Sequence, residues 1–178
     1  MAIGIIIGSV REGRLGESVA QWVLEQARAR GGEHAYELVD LKDYLMPLLD
    51  AEVLPAAAEG KYADSQVTAW AETVAKYDGF VMVTPEYNHS VPGPLKNAVD
   101  SLFVEWAGKP ITVLGYSYSG GQWVIPAWLP VLENLKMKVA ENTVSFSIAD
   151  NTNDAGLAVT DAVAEQLRVA LDEIEAAL

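Results

Sequence analysis

Three short stretches hold most of the side chains that could recognise a ligand: "GSVREGRLGES" at residues 8–18, "TPEYNHSVPG" at 84–93 and "YSYSGGQW" at 116–123. The first sets Gly8, Ser9, Arg11, Gly13, Arg14 and Gly16 just ahead of a helical pattern. A helix start offers unpaired N–H groups and a partial positive charge, which suits a phosphate. Ser9 could add a hydroxyl donor, and Arg11 could pair with phosphate oxygens through two N–H bonds. The same residues also describe an ordinary glycine-rich turn with solvated arginines. Two common nucleotide signatures are missing, Gly-x-Gly-x-x-Gly and the Gly-Lys-Ser/Thr ending of a P-loop.

The second stretch reads as a stiff platform for something flat. Pro85 fixes its own φ and holds Thr84 extended. The backbone N–H groups of Glu86, Tyr87 and Asn88 are then expected to be free for the polar edge of a ligand. Tyr87 adds an aromatic face, and Asn88 both a donor and an acceptor. A plainer reading makes these residues the cap of the next helix. His89 alone reads as structural. Glu86 with Asn88 is not a carboxylate pair, so glycosidase chemistry has no support. Ser90, His89 and Asp100 lack the Gly-x-Ser-x-Gly elbow that would expose a nucleophile. In the third stretch, Gly120 and Gly121 allow close approach of a ligand to another helix start. Many βα turns share that composition.

The rest of the chain narrows the choices. Among 178 residues there is no Cys and there are only two His, His34 and His89, so no metal-ligand spacing arises. A formal net charge of −13 argues against a general nucleic-acid binder. The apolar start "MAIGIIIGSVREG" is too short to span a bilayer and lacks a basic leader, so the expectation is a cytoplasmic protein without a membrane partner.

Elements that would position the three stretches alternate along the chain. Ile3–Ile7 is a continuous apolar run of the kind buried on both faces of a sheet. Residues 17–30 follow as a helix with Val19, Trp22, Val23, Gln26, Ala27 and Arg30 on one stripe. Residues 35–41 are a strand candidate weakened by Glu37, and 42–63 form a long excursion broken by Pro47, Pro55 and Gly60. A helix is expected over 64–76 with Asp64 as N-cap, a strand over 79–84, and a helix over 94–103 with Pro94 in its first turn. A strand over 110–116 precedes a helical segment at 121–135 interrupted near Pro126 and Pro130. The last strand falls within 138–146, and a closing helix over 159–178 aligns Val159, Val163, Leu167, Leu171, Ile174 and Leu178. Leu95, Val99, Leu102, Phe103, Trp128 and Leu132 could serve either the core or a partner surface, with the core as the default for each taken singly.

This alternation implies one α/β domain over 1–178: a doubly wound, flavodoxin-like, five-stranded parallel sheet of order 2-1-3-4-5 in a three-layer α/β/α arrangement. Such sheets bind ligands beyond the carboxyl ends of their strands, at the switch point beside strand 1, where all three polar loops should meet.

Together the loops carry a family resemblance. "GSVREGRLGESVAQW", "MPLLD", "VTPEYNHSVPGPLKNAVDSL" and "KPITVLGYSYSGG" resemble, in order, the motifs of the NADPH-dependent FMN reductases, flavodoxin-like quinone, azo-dye and chromate reductases. The resemblance spans roughly residues 3–135, and the block around Pro85–Asn88 is its most specific part. It implies FMN as cofactor and NADPH or NADH as co-substrate. The flavin would pass hydride to a small-molecule acceptor: a quinone, an azo compound, a chromate-like oxyanion or free flavin. It implies that Ser9 and Arg11 hold the FMN phosphate, with Arg14, Gly16, Glu17, Ser18 and Val19 completing that turn. Pro85, Glu86, Tyr87 and Asn88 would border the isoalloxazine ring, and Ser117, Ser119, Gly120 and Gly121 its other edge. Amides near Gly120 and Gly121 would there stabilise the negative charge of the reduced ring. No side chain is assigned a catalytic role. A homodimer or homotetramer is also implied.

Two positions depart from the family pattern: Ser117 stands where Gly is usual, and Trp123 where a small or basic residue is usual. With Trp128, Trp123 is expected to reshape the flavin entrance. Alternatives are a flavodoxin-like electron carrier, a flavin-binding regulator with little turnover, or a cofactor-free interaction module.

Overall fold

The computed structural model of the chain describes residues 1–44 and 46–178. Its centre is set by apolar runs that bury both faces of a parallel sheet. β1 (Ala2–Ile7) pairs with β2 (Ala35–Asp40) on one side and β3 (Gly79–Pro85) on the other, and β3 pairs with β4 (Pro110–Ser117), all parallel. Glu37 is exposed on the edge strand β2 and accepts from the Tyr77 hydroxyl at 3.1 Å, so a charge there is tolerated.

The observed order is β2-β1-β3-β4, as expected, but the fifth position is shared by two short strands. β5 (Lys138–Val139) pairs with the start of β4 and β6 (Val144–Ser147) with its end. The break between them is held by polar bonds. Glu173 accepts from the amides of Glu141 and Asn142 at 2.6 and 2.9 Å, and Thr112 donates to the Asn142 carbonyl at 2.9 Å.

Helices cover both faces. α1 (Gly16–Ala29) and α5 (Asp161–Ala176) pack on Ile3, Ile5, Ile7, Val81, Val83 and Leu114. On the opposite face α2 (Ser65–Ala75), α3 (Gly93–Asp100) and α4 (Val124–Asn134) cover Ile6, Phe80, Met82, Ile111 and Val113. The buried stripe of α1 is Val19, Ala20, Val23, Leu24 and Ala27, turned from the expected one, so Gln26 is exposed. Asp64 caps α2 as expected, accepting from the amides of Gln66 and Val67 at 2.8 and 3.0 Å.

α3 stops before the expected Phe103. The carbonyls of Ala98 and Val99, which would accept from the next turn, take indole N–H bonds from Trp70 at 2.9 Å and Trp106 at 3.1 Å. α4 begins at Val124 and runs through both prolines. Pro126 lies in the first turn, where its missing N–H has no helical acceptor. Pro130 is solvent-exposed, so the carbonyl it leaves unpaired can bond water. Leu95, Val99, Leu102, Trp128 and Leu132 are buried, and Phe103 is partly so.

Over residues 42–63 the described part holds two single 3-10 turns, Leu41–Asp43 and Pro55–Ala57, while Leu45 lies outside the described residues. Asn97 of α3 fastens this excursion, donating to the Pro47 carbonyl at 2.8 Å and accepting from the Leu49 amide at 2.9 Å. An unexpected hairpin, β7 (Thr152–Asn153) with β8 (Gly156–Leu157), follows a 3-10 turn at Ala149–Asn151.

Candidate active site

Parallel pairing aligns the carboxyl ends of β1, β3 and β4, so the loops that follow them must meet at one edge of the sheet. They form a cleft of about 710 Å³ whose walls include Ser9, Arg11, Arg14, Pro85, Glu86, Tyr87, Asn88, Ser117 and Ser119. The first two loops touch directly, the Ser9 and Tyr87 hydroxyls being 3.1 Å apart.

The two arginines of the first loop part company. Arg14 is an internal strut. Its guanidinium donates to the Ser9 carbonyl at 2.7 Å and to both carboxylate oxygens of Asp40 at the end of β2, leaving its side chain 7% exposed. Arg11 is exposed, lines the cleft and makes no ion pair among the described residues. Beside it α1 starts with Leu15 at the N-cap position, which offers no side-chain acceptor. The first turn of that helix therefore has no side-chain cap, and Glu17 is the acidic residue it carries.

The second loop differs from its expected form. Asn88 and His89 have φ of 50° and 59°, and Tyr87 pairs with Ser90 across them. This two-residue turn favours Asn at its first central position. The Tyr87 amide donates to the Ser90 carbonyl at 3.0 Å and the Glu86 amide to the Tyr116 carbonyl at 3.1 Å. Of the three amides expected to be free, two are committed to the backbone.

Glu86 turns its carboxylate toward the third loop. It accepts from the hydroxyls of Ser119 at 2.6 Å and Ser117 at 3.2 Å, and from the amides of Trp123 at 2.8 Å and Val124 at 3.2 Å. Burial pushes its pKa up, but these four bonds outweigh burial and hold it below the ordinary carboxylate value. Ser117 Oγ accepts from the amides of Ser119 at 3.1 Å and Gly121 at 2.9 Å, and the Gly120 amide donates to the Ser117 carbonyl at 3.3 Å. Gly120 and Gly121 therefore do not offer the expected free donors to the cleft.

Six expected residues lie outside the cleft wall. Gly16 sits behind it, where an added Cβ would come within 2.5 Å of the Tyr116 hydroxyl. Val19 is wholly buried. Glu17 and Ser18 line an outer groove with Asp40 and Asp43. Gly121, at φ 68°, packs its α-carbon against the Gly115 backbone, and Gly120 is likewise absent from the wall. Trp128 is wholly buried and cannot reach the entrance, whereas Trp123 is 49% exposed and lies 5.4 Å from the His89 ring.

Wall residues that the sequence reading missed include Tyr116, Tyr118, Ile148 and Thr152. Burial above all, with neighbouring Tyr87, pushes the Tyr116 phenol above its ordinary pKa. Tyr116 and Tyr118 flank Ser117 in a motif already singled out. Ile148 and Thr152 come from a stretch with no periodic pattern.

Comparison with known proteins gives the family of the chain. Residues 1–151 match the family model described as NADPH-dependent FMN reductase. The chain is 40% identical over 144 residues to an NAD(P)H-dependent FMN reductase of Schizosaccharomyces pombe, covering 81% of this chain and 72% of that one. It is 41% identical over 112 residues to a quinone reductase of Escherichia coli, covering 61% and 55% of the two chains. Among solved structures, a flavoenzyme NAD(P)H:(acceptor) oxidoreductase of Paracoccus denitrificans superposes with a TM-score of 0.75 at 20% identity, covering 98% of this chain and 97% of that one. At that identity the likeness speaks for the flavodoxin-like fold. The chain belongs to the NADPH-dependent FMN reductase family: it is an oxidoreductase that works with FMN and NAD(P)H.

Proposed function

We propose that the whole chain, residues 1–178, acts as a single domain that holds FMN in this cleft and passes electrons from NADPH or NADH to a small quinone. The observation that carries the reading is Arg11, a cation without an ion pair among the described residues, beside an uncapped helix start and on the same cleft as the Pro85–Asn88 turn. The fit to FMN rests on donor chemistry and size. Arg11 and the Ser9 hydroxyl suit a phosphate, Tyr87 suits a planar ring, and the volume lies within the range of small-molecule sites.

FMN, when bound, supplies the hydride acceptor and donor. The protein's part is to hold and orient. Ser9, Arg11 and the first-turn amides of Gly16, Glu17 and Ser18 would take the phosphate. Arg14 and Val19 would fix that turn from behind, Arg14 through Asp40 and Val19 through the core. Pro85, Glu86, Tyr87 and Asn88 would bound one side of the ring and Ser117 and Ser119 another, with Gly120 and Gly121 shaping that loop from behind and no side chain needed as acid or base.

Among the acceptors considered, the alignment with the Escherichia coli quinone reductase favours a quinone over an azo compound, a chromate-like oxyanion or free flavin. A homodimer or homotetramer in the cytoplasm completes the reading. Among the described residues no helix is long and apolar enough to cross a membrane.

The test is a titration of the flavin-free protein with FMN, followed by steady-state turnover with NADPH or NADH and a benzoquinone. Stoichiometric flavin uptake and quinone-dependent nicotinamide oxidation support the proposal. Tight flavin binding without turnover would leave only an electron carrier or a regulator, and absence of binding would reject the site.

A further inference from the structure

The loop after β4 that lines the cleft leads into a second helix start, and a side chain from the loop after β3 occupies that start. The Trp123 and Val124 amides that open α4 donate to the Glu86 carboxylate, which also receives the Ser117 and Ser119 hydroxyls. Ser117 Oγ takes the amides of Ser119 and Gly121, and its carbonyl takes that of Gly120. Five backbone donors of this turn are thus spent on two residues of the protein itself. An ordinary glycine-rich βα turn would leave such donors for the ligand.

We propose that Glu86, acting through Ser117, is a positioning residue that turns the amides of the β4–α4 loop inward and sets a fixed negative charge in the cleft wall. The proposal rests on FMN occupying the cleft. Reduction adds electrons to the ring. A nearby carboxylate raises the energy of that added charge, and amides already bonded elsewhere cannot receive it. Glu86 and Ser117 therefore make the bound flavin a stronger reductant than an open turn would. Arg11, on the loop after β1, lies across β3 from the β4 loop, so the cleft is electrically polarised between the two.

Three variants separate the parts of the claim. Glu86→Gln removes the charge, Ser117→Gly frees the amides while keeping the charge, and Glu86→Asp retains the charge as a conservative control. For each, FMN affinity is measured by quenching of flavin fluorescence, and the midpoint potential by equilibration with a reference dye. Amide hydrogen exchange at Gly121, Trp123 and Val124 is followed in the flavin-free protein.

Glu86→Gln and Ser117→Gly should each raise the reduced-to-oxidised ratio at a fixed potential about tenfold, about 30 mV for a two-electron couple. Glu86→Asp should return the potential toward that of the parent. Exchange at Trp123 and Val124 should quicken in Glu86→Gln, and at Gly121 in Ser117→Gly. Both variants binding FMN at the parent's potential would overturn the proposal while leaving the proposed function intact. A parent chain that takes up no FMN would defeat the proposed function, and unaltered exchange in both variants would then defeat the positioning claim as well.

Discussion

The loops after β1 and β4 line the same cleft, and the helices they lead into, α1 and α4, are finished in opposite ways. At α1 the N-cap residue is Leu15, which contributes no acceptor, and Arg11 in the same loop makes no ion pair among the described residues. At α4 the first amides are taken by Glu86, a residue 37 positions before Trp123 in the chain. Both starts carry the same backbone dipole. One is left without a side-chain cap and the other is satisfied by an internal carboxylate, so a glycine-rich turn before a helix does not by itself announce an anion site.

The largest effect expected from breaking this contrast is on the strut behind the open turn. Asp40→Ala would leave buried Arg14 with only the exposed Glu17, 3.7 Å away, as a carboxylate partner and cost about 3 kcal/mol of stability, read by urea unfolding. A cost below 1 kcal/mol would show that Arg14 does not hold the loop. Arg11→Ala should leave unfolding unchanged and weaken FMN binding by about 1.5–3 kcal/mol, the size of a charged hydrogen bond. Equal loss from both arginine sites in the binding assay alone would erase the distinction between strut and ligand contact.

At the closed start, Glu86→Gln should cost about 1 kcal/mol near neutral pH, as for loss of a helix cap. Its pKa is depressed in the folded protein, so its contribution is present above the unfolded carboxylate value of about 4.3 and drains away as pH falls through the lower folded value. Parent and variant should therefore converge in stability on acidification, and a gap that widens in acid would contradict the assignment. Trp123→Ala, at an exposed position against His89, should change stability by less than about 0.5 kcal/mol. Its effect should be greater on KM for a planar acceptor than on kcat.

Much of this could be read along the chain because it is local. Residues 3–7 and 79–83 are apolar runs without a polar side chain, and Asp64 stands directly before the helix it caps. The meeting of Ser9 with Tyr87 follows from strand order alone. What escaped depends on distant partners. Arg11 and Arg14 look alike in a glycine-rich loop, and only Asp40, on a different strand, tells them apart. Glu86 reads as a turn residue until the loop after β4 folds over it. The early stop of α3 needs two indoles that arrive from α2 and from beyond the helix. Ile148 and Thr152 join the cleft from a segment whose two-residue strands are too short to show a period.

The central claim is that one cleft, assembled from the loops after β1, β3 and β4, holds a flavin that NAD(P)H can reduce. Adding NADPH anaerobically to the flavin-loaded protein tests it most directly. The absorbance of oxidised flavin should bleach with one equivalent of NADPH and return on addition of a quinone. A spectrum that stays oxidised with both NADPH and NADH would contradict the account.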